Sequence, residues 1–253
     1  MEAGNRCFDD RVPEEINRRI IDHSSAVLMP YTHRSQENLV REGIERDRIF
    51  VTGNPIKEVL DTYVDSIESS DIMDGLKVKP FEYFLVTLHR AENVDIQDRI
   101  TEIFKGLEEV ASTFGKEVLI SLHPRTAEKL EYFGINTDAT NLRLLKAQRF
   151  FDFVKLEKNS LAVLTDSGTV QEECAIFGIP NVTIRDVTER PETIECGSNI
   201  LAGGKTEGIL RAVEIAIAQP AAWTAPPEYL ASNVSQTVSK IILGYTSPRR
   251  HFS

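Results

Sequence analysis

From residue 83 onward, short apolar runs alternate along the chain with longer segments whose apolar residues recur at helical spacing. The runs occupy residues 83–89, 118–122, 142–145, 161–164 and 182–184. Strands that are apolar on both faces are typical of a parallel sheet covered by helices on both sides. Helices are predicted at residues 168–177, between the fourth and fifth runs, and at residues 209–217, after the last run. The pattern therefore predicts an α/β fold built on a parallel sheet.

Outside this region the sequence predicts fewer elements. A helix should begin at Pro13, where proline and two acidic residues suit a first turn. A second helix is predicted over residues 35–41, and a short strand over residues 49–52. Residues 220–227 are rich in proline and alanine and break the chain before a last helix at about residues 232–243.

Charge and composition exclude several classes of partner. The 253 residues carry a formal net charge of -10, so we expect no broad attraction to nucleic acid. No apolar run reaches the roughly 18 residues that a membrane-spanning helix needs, and the polar N-terminus is unlike a signal peptide. The three cysteines are far apart and show no metal-ligand spacing. We predict a cytoplasmic protein with reduced thiols.

Polar residues directly follow three of the predicted strands. His89 and Arg90 follow the first, His123 follows the second, and Asp-Ser-Gly-Thr at 166–169 follows the fourth. Ligands of such sheets bind outside the carboxyl ends of the strands. A helix that opens on glycine there offers N–H groups and a partial positive charge to a diphosphate. The alternatives are a helix cap at residues 166–167 and a structural histidine.

Further charged residues have two interpretations each. Glu172 and Glu173 point about 100° apart on a helix, so only one should face the strand ends, where it could accept hydrogen bonds from a ribose diol. Both could instead compensate the helix dipole. Residues 185–192 form either part of a site or a solvated surface loop. Cys174, on an apolar helix face, is expected to be a core residue.

Six stretches together resemble the non-hydrolysing UDP-N-acetylglucosamine 2-epimerases. They are EAGNR at 2–6, PEEINR at 13–18, VTGN at 51–54, TLHR at 87–90, DSGTVQEE at 166–173 and TERPE at 188–192. They occur in the family's order with similar gaps, and the resemblance covers nearly the whole chain. Thr169 replaces a second glycine, and NRCFD at 5–9 replaces the usual LRTGD, so the exact sugar stays open.

The resemblance implies a Rossmann-like parallel sheet that forms the C-terminal half of a GT-B two-domain architecture. Residues 1–57 would be the remnant of the N-terminal domain, 58–231 the UDP-binding domain, and 232–253 a helix that packs back toward the first. UDP binding is assigned to His89, Arg90, His123, Ser167, Gly168, Thr169 and Glu173. Catalysis is assigned to Glu2, Glu14 and His89. Glu189 and Arg190 would support the site.

The implied reaction inverts C2 of UDP-N-acetylglucosamine to give UDP-N-acetylmannosamine, by elimination of UDP and its re-addition. It requires no metal and no cofactor. The expected ligands are UDP and UDP-N-acetylhexosamine, and no binding to nucleic acid or membrane is expected. The expected protein partner is either a second copy of the chain or a separate N-terminal half. The resemblance also implies that this chain alone binds UDP but turns over slowly or not at all. A non-catalytic UDP-binding module and a GT-B glycosyltransferase are the alternatives.

Overall fold

A computed structural model describes residues 1–137, 141–218 and 221–245. The chain divides into two compact units, one formed by Met1–Thr62 with Pro227–Ser253 and the other by Tyr63–Pro226. The sequence-based boundaries after residues 57 and 231 stay a prediction. Residue 220 of the predicted break and residues 246–253 of the predicted C-terminal segment lie outside the described residues.

The first unit is helical in its described part. Its first three α-helices are α1 (Pro13–Ser24), α2 (His33–Arg41) and α3 (Ile56–Thr62), and its 3₁₀ helices are Arg46–Arg48 and Pro227–Leu230. The strand predicted at residues 49–52 is wrong, because only a single parallel bridge forms there, between Leu28 and Ile49. Pro30 has no N–H to donate to the Phe50 carbonyl, so no second bridge forms, although the N–H of Thr52 still donates to the Pro30 carbonyl at 3.1 Å.

The second unit contains a six-stranded sheet. Its strands are β1 (Tyr83–Leu88), β2 (Glu117–Leu122), β3 (Leu142–Lys146), β4 (Ala162–Thr165), β5 (Asn181–Thr183) and β6 (Asn199–Leu201). All neighbours pair in parallel, in the order β3-β2-β1-β4-β5-β6. The predicted α/β class and Rossmann-like parallel sheet are confirmed. The sequence pattern missed β6, which is only three residues long.

Helices connect these strands and cover both faces of the sheet. They are α4 (Val64–Glu68), α5 (Ile72–Leu76), α6 (Ala91–Val94), α7 (Gln97–Phe114), α8 (Pro124–Tyr132), α9 (Phe150–Lys158), α10 (Gly168–Phe177), α11 (Pro191–Glu195) and α12 (Thr206–Ala218). The helix that closes the first unit is α13 (Val234–Gly244). No helix in the described part of the chain combines the length and apolarity needed to cross a bilayer.

Side chains of β1 alternate between two hydrophobic clusters. Phe84 and Val86 belong to one cluster, with residues of α7 and α12. Tyr83 and Leu85 belong to the other, with residues of α9 and α10. Gly106 brings α7 close to α12, because a Cβ atom at this position would lie 3.1 Å from the side chain of Ile209. The sheet is therefore buried on both faces, as its apolar strands predict.

The strand order places a crevice at the centre of the sheet. From β1 the chain moves outward through β2 and β3, and it then returns to place β4 on the other side of β1. The point where the strand order reverses is where open α/β sheets bind ligands, at the carboxyl ends of the strands. His89 follows β1 and Asp166 follows β4 at this point.

Candidate functional site

The buried carboxylate of Asp166 connects the ends of β1 and β4. It accepts the N–H groups of His89 at 3.0 Å and Arg90 at 2.9 Å, and the side-chain amide of Asn93 at 3.2 Å. Burial acts to raise the pKa of the Asp166 carboxyl, but hydrogen bonds from His89 and Arg90 outweigh it and hold the pKa below its usual value. An ionised anchor therefore fixes the loop after β1.

His89 and His123 are brought together at this rim, with ring centroids 6.0 Å apart. Nδ1 of His89 lies 3.1 Å from Asp166 Oδ1, so it donates there and leaves Nε2 for a ligand. His123 is the N-cap of α8, and its Nδ1 accepts the N–H of Arg125 at 3.2 Å. Its exposed ring can therefore donate from Nε2, whereas Nε2 of His89 donates to an anion only when the ring carries a second proton.

The start of α10 lacks a side-chain cap. Ser167 is the N-cap residue in extended conformation, yet its side chain makes no capping hydrogen bond. Its own N–H donates to Thr165 Oγ1 at 3.0 Å, and Asp166 is engaged with the loop after β1. The helix-cap alternative for residues 166–167 is therefore wrong. Gly168 is buried and Thr169 exposed in the first turn, whose N–H groups are available to an anion.

Arg190 lies against this helix start. A Cβ atom at Gly168 would be 3.5 Å from the guanidinium carbon of Arg190. The Arg190 side chain is buried and pairs through Nε with Glu172. Glu172 compensates the charge of Arg190, but guanidinium Nη2 lies 3.6 Å from the same Cβ position, where an N–H group can reach an anion at the helix start.

The loop after β5 is a buried ion-pair network. Arg185, only 1% exposed, donates from Nη1 and Nη2 to the two carboxylate oxygens of Glu189, at 2.7 and 3.2 Å. Thr188 Oγ1 donates to Gln171 of α10 at 2.7 Å and ties the loop to that helix. The solvated-loop alternative for residues 185–192 is therefore wrong.

Glu173 is buried beside a second carboxyl group, that of Glu157 in α9. The two carboxyl groups lie within hydrogen-bonding distance of each other. Burial raises the pKa of Glu173 to about 8. Glu172 and Glu173 are both buried, each against a different partner, and that only one of them faces the strand ends stays a prediction. Sequence reasoning missed Glu157, because it reads as one more charge on an amphipathic helix.

Glu2 and Glu14 belong to the first unit. Glu2 has φ of 60°, in the left-handed region, and its carboxylate accepts the amide of Asn5 at 3.3 Å. Glu14 is half-buried in the first turn of α1, whereas the neighbouring Glu15 is fully buried and accepts the N–H of Cys7. A catalytic role for Glu2 and Glu14 stays a prediction.

The family profile described as UDP-N-acetylglucosamine 2-epimerase matches residues 1–243. A UDP-N-acetylglucosamine 2-epimerase of Methanocaldococcus jannaschii is 40% identical over 235 residues, which are 89% of this chain. The match spans 63% of that protein, so the chain covers somewhat less than two thirds of this relative's length.

Solved structures show the same likeness. The crystal structure of the M. jannaschii enzyme in complex with UDP-GlcNAc and UDP superposes with a TM-score of 0.91 at 38% identity, over 97% of this chain and 68% of that one. WaaG, a glycosyltransferase of lipopolysaccharide biosynthesis, has a TM-score of 0.57 at 16% identity, over 96% and 74%. At that identity the likeness shows the fold alone. The predicted GT-B-like fold is confirmed by these structures.

Proposed function

We propose that this chain, which belongs to the UDP-N-acetylglucosamine 2-epimerase family, binds UDP-N-acetylglucosamine and inverts C2 of its sugar to give UDP-N-acetylmannosamine. The observation that carries the proposal is the uncapped start of α10, which lies at the reversal of strand order with Arg190 beside it. The names of the relatives, and the nucleotide ligands of a superposable relative, support it.

The diphosphate would bind at the start of α10. Ser167 supplies a hydroxyl, and Gly168 and Thr169 supply backbone N–H groups that no side chain of the helix caps. The helix dipole provides positive charge, and the Arg190 guanidinium provides N–H donors. This arrangement stabilises the ground-state diphosphate, and it stabilises departing UDP more strongly because negative charge grows as the bond to the sugar breaks.

The remaining nucleotide contacts would come from neighbouring strand ends. His89, held by Asp166, presents Nε2 beside the phosphates, with Arg90 next to it. His123 would lie at the edge of the same site. Glu173 would accept hydrogen bonds from the ribose diol, in its ionised form. Glu189 supports the site indirectly, because it holds Arg185 and so the loop that carries Arg190.

The reaction would proceed in two halves. A carboxylate base, for which Glu2 and Glu14 are the candidates, removes the proton from C2 while the C1–O bond breaks and UDP leaves with the electron pair. The product of this step is a 2-acetamidoglucal. UDP then adds back to C1, and C2 receives a proton on the opposite face. Protons and electrons balance without an external oxidant or reductant.

The assembly and the location of the protein are further predictions. A homodimer, or assembly with a separate N-terminal half, stays a prediction, and so does a cytoplasmic location. The alternatives to epimerisation are distinguished by chemistry, since a glycosyltransferase moves the sugar to an acceptor and a binding module leaves UDP-N-acetylglucosamine unchanged.

Incubation of the chain with UDP-N-acetylglucosamine in deuterium oxide, followed by NMR, tests the reaction. We expect solvent deuterium at C2 and the C2 epimer, because inversion must break the C2–H bond. Both should form slowly, since the resemblance implies slow turnover by this chain alone. Glu14→Gln removes the basicity of one candidate and should slow exchange by about 100-fold or more. Glu37→Gln, in an exposed acid of α2, should leave it unchanged. Sugar transfer to an acceptor, or UDP binding with no C2 exchange, would contradict the epimerase proposal.

A further inference from the structure

A buried carboxyl pair lies behind the start of α10. Glu157 of α9 is 0% exposed and Glu173 of α10 is 4% exposed. Oε1 of Glu157 accepts the thiol of Cys174, with Sγ at 3.1 Å. Burial raises the pKa of Cys174, so the thiol keeps its hydrogen and acts as the donor. Oε2 of Glu157 has no hydrogen-bond donor among the residues that the structure describes.

No cation neutralises this pair in the described part of the chain. Glu157 faces Glu173 and Cys174, both on α10. Glu173 faces Glu157 and, on its own helix, Glu172, whose charge is balanced by Arg190. Asn181 of β5, 3.8 Å from the Cys174 sulfur, is neutral. Two carboxylates in such surroundings cannot both ionise at low cost, so the pair retains protons at neutral pH.

A proton on the Glu157 carboxyl group accounts for its Oε2 atom, which accepts no hydrogen bond from the described residues. A neutral carboxyl group can donate one hydrogen bond, and the adjacent Glu173 carboxyl is the acceptor within reach. Oε2 of Glu157 then carries the proton and donates, so no buried negative charge is left without a hydrogen bond. Burial and the charge of Glu173 raise the pKa of Glu157 well above its usual value, so it is the group that stays protonated.

We propose that Glu157 is a positioning residue of the nucleotide site, which remains protonated and donates a hydrogen bond that holds the Glu173 carboxylate for the ribose diol. The inference rests on the proposed role of Glu173 in UDP binding. A diol donates hydrogen bonds and therefore favours the ionised form of Glu173. Binding accordingly converts the Glu173 carboxylic acid into a carboxylate and releases its proton to the buffer, while the proton on Glu157 stays in place.

The first test is the number of protons released when UDP binds, measured by calorimetry at pH 7.5 in buffers of different ionisation enthalpy. With the pKa of Glu173 raised to about 8, we expect well over half a proton per UDP. The count should approach zero above about pH 9, where Glu173 is already ionised. The terminal phosphate titrates near pH 6 and contributes little in this range. Proton release at pH 7.5 that is equal in wild type and Glu173→Gln would overturn the inference, because the difference between the two separates Glu173 from the histidines at the phosphates.

The second test compares two substitutions of Glu157. Glu157→Gln keeps a hydrogen-bond donor and should bind UDP as wild type does. Glu157→Met fills similar space without a donor, so UDP affinity at pH 7.5 should fall by about tenfold or more. This loss of UDP affinity should shrink at higher pH, because Glu173 is then ionised without the hydrogen bond from Glu157. A merely structural role would give a deficit that does not change with pH.

Two controls separate this inference from the proposed function. Inorganic pyrophosphate has no ribose, so its affinity should be equal in wild type and Glu157→Met. Glu173→Gln should weaken UDP binding and remove the proton release that is due to Glu173. UDP affinity that is unchanged in Glu173→Gln would remove Glu173 from the ribose site. In another outcome, UDP affinity depends on Glu173 yet shows the same pH profile in Glu157→Met and wild type. That result would contradict the role of Glu157 and leave the role of Glu173 intact.

Discussion

Replacement of Arg185 with alanine is expected to lower the free energy of unfolding of the second unit by about 3–5 kcal/mol. Arg185 is 1% exposed, and its two terminal nitrogens meet both carboxylate oxygens of Glu189 while Nε reaches Glu92 at 3.1 Å. Removal of the guanidinium leaves the buried Glu189 charge without the cation that neutralises it. The cost of that uncompensated charge exceeds the net value of the pair itself.

The double substitution Arg185→Met with Glu189→Leu is the matched control. It removes both charges and fills the space with apolar atoms, so it should recover much of the stability lost by Arg185→Ala. Urea unfolding, followed by the fluorescence of Trp223, measures the stability of both variants. This single tryptophan belongs to the second unit and donates to the Ala175 carbonyl of α10 at 3.2 Å. A loss below about 1 kcal/mol for Arg185→Ala would show that the pair is solvated and not buried.

Asp166→Asn should have the second large effect, on both stability and nucleotide binding. An amide offers one acceptor oxygen, and its NH₂ group would confront the N–H groups of His89 and Arg90. Charge-assisted hydrogen bonds are worth about 1.5–3 kcal/mol each, so a loss on the order of 3 kcal/mol is expected. UDP affinity should fall as well, because Nδ1 of His89 loses the carboxylate that orients the ring.

Asp186→Asn provides the comparison for this prediction. Asp186 also accepts hydrogen bonds from a cationic side chain, Arg99 at 2.9 Å, but its own side chain is 48% exposed. Its substitution should change stability by less than about 1 kcal/mol. Urea unfolding measures the stability of both variants, and calorimetry measures their UDP affinity. Equal effects at the two positions would refute the anchoring role of Asp166.

The strands and the helix that opens the site were predictable because their signals are local. The apolar run at 161–164 followed by Asp-Ser-Gly predicts a strand, a turn and a helix, and α10 spans Gly168–Phe177 as predicted. Short elements were missed. Helices α4 and α5 have five residues each and lie in a segment that reads as polar, so packing rather than periodicity holds them.

The partners of charged residues were not predictable from the sequence. Arg190 and Glu172 are 18 residues apart, and their pairing exists only because the loop after β5 folds over α10. Glu157 shows the same limit, because nothing in its helix indicates that Glu173 and Cys174 will bury it. The position of Asp166 in a turn was evident, but its role as acceptor for the loop after β1 depends on the pairing of β1 with β4.

Calorimetric titration of UDP into wild type, Gly168→Ala and Gly178→Ala tests most directly whether the start of α10 binds a diphosphate. A methyl group at Gly168 makes only an ordinary contact with Arg190, so the fold tolerates it, but it occupies space where phosphate would approach the backbone. Gly178 has φ of 73° at the other end of α10, and alanine there strains the same helix away from the site.

Wild type and Gly178→Ala should bind UDP with equal affinity, and Gly168→Ala should bind at least about tenfold more weakly, a difference of roughly 1.4 kcal/mol. No heat from wild type at roughly millimolar UDP, or equal affinity in wild type and Gly168→Ala, would contradict diphosphate binding at the start of α10.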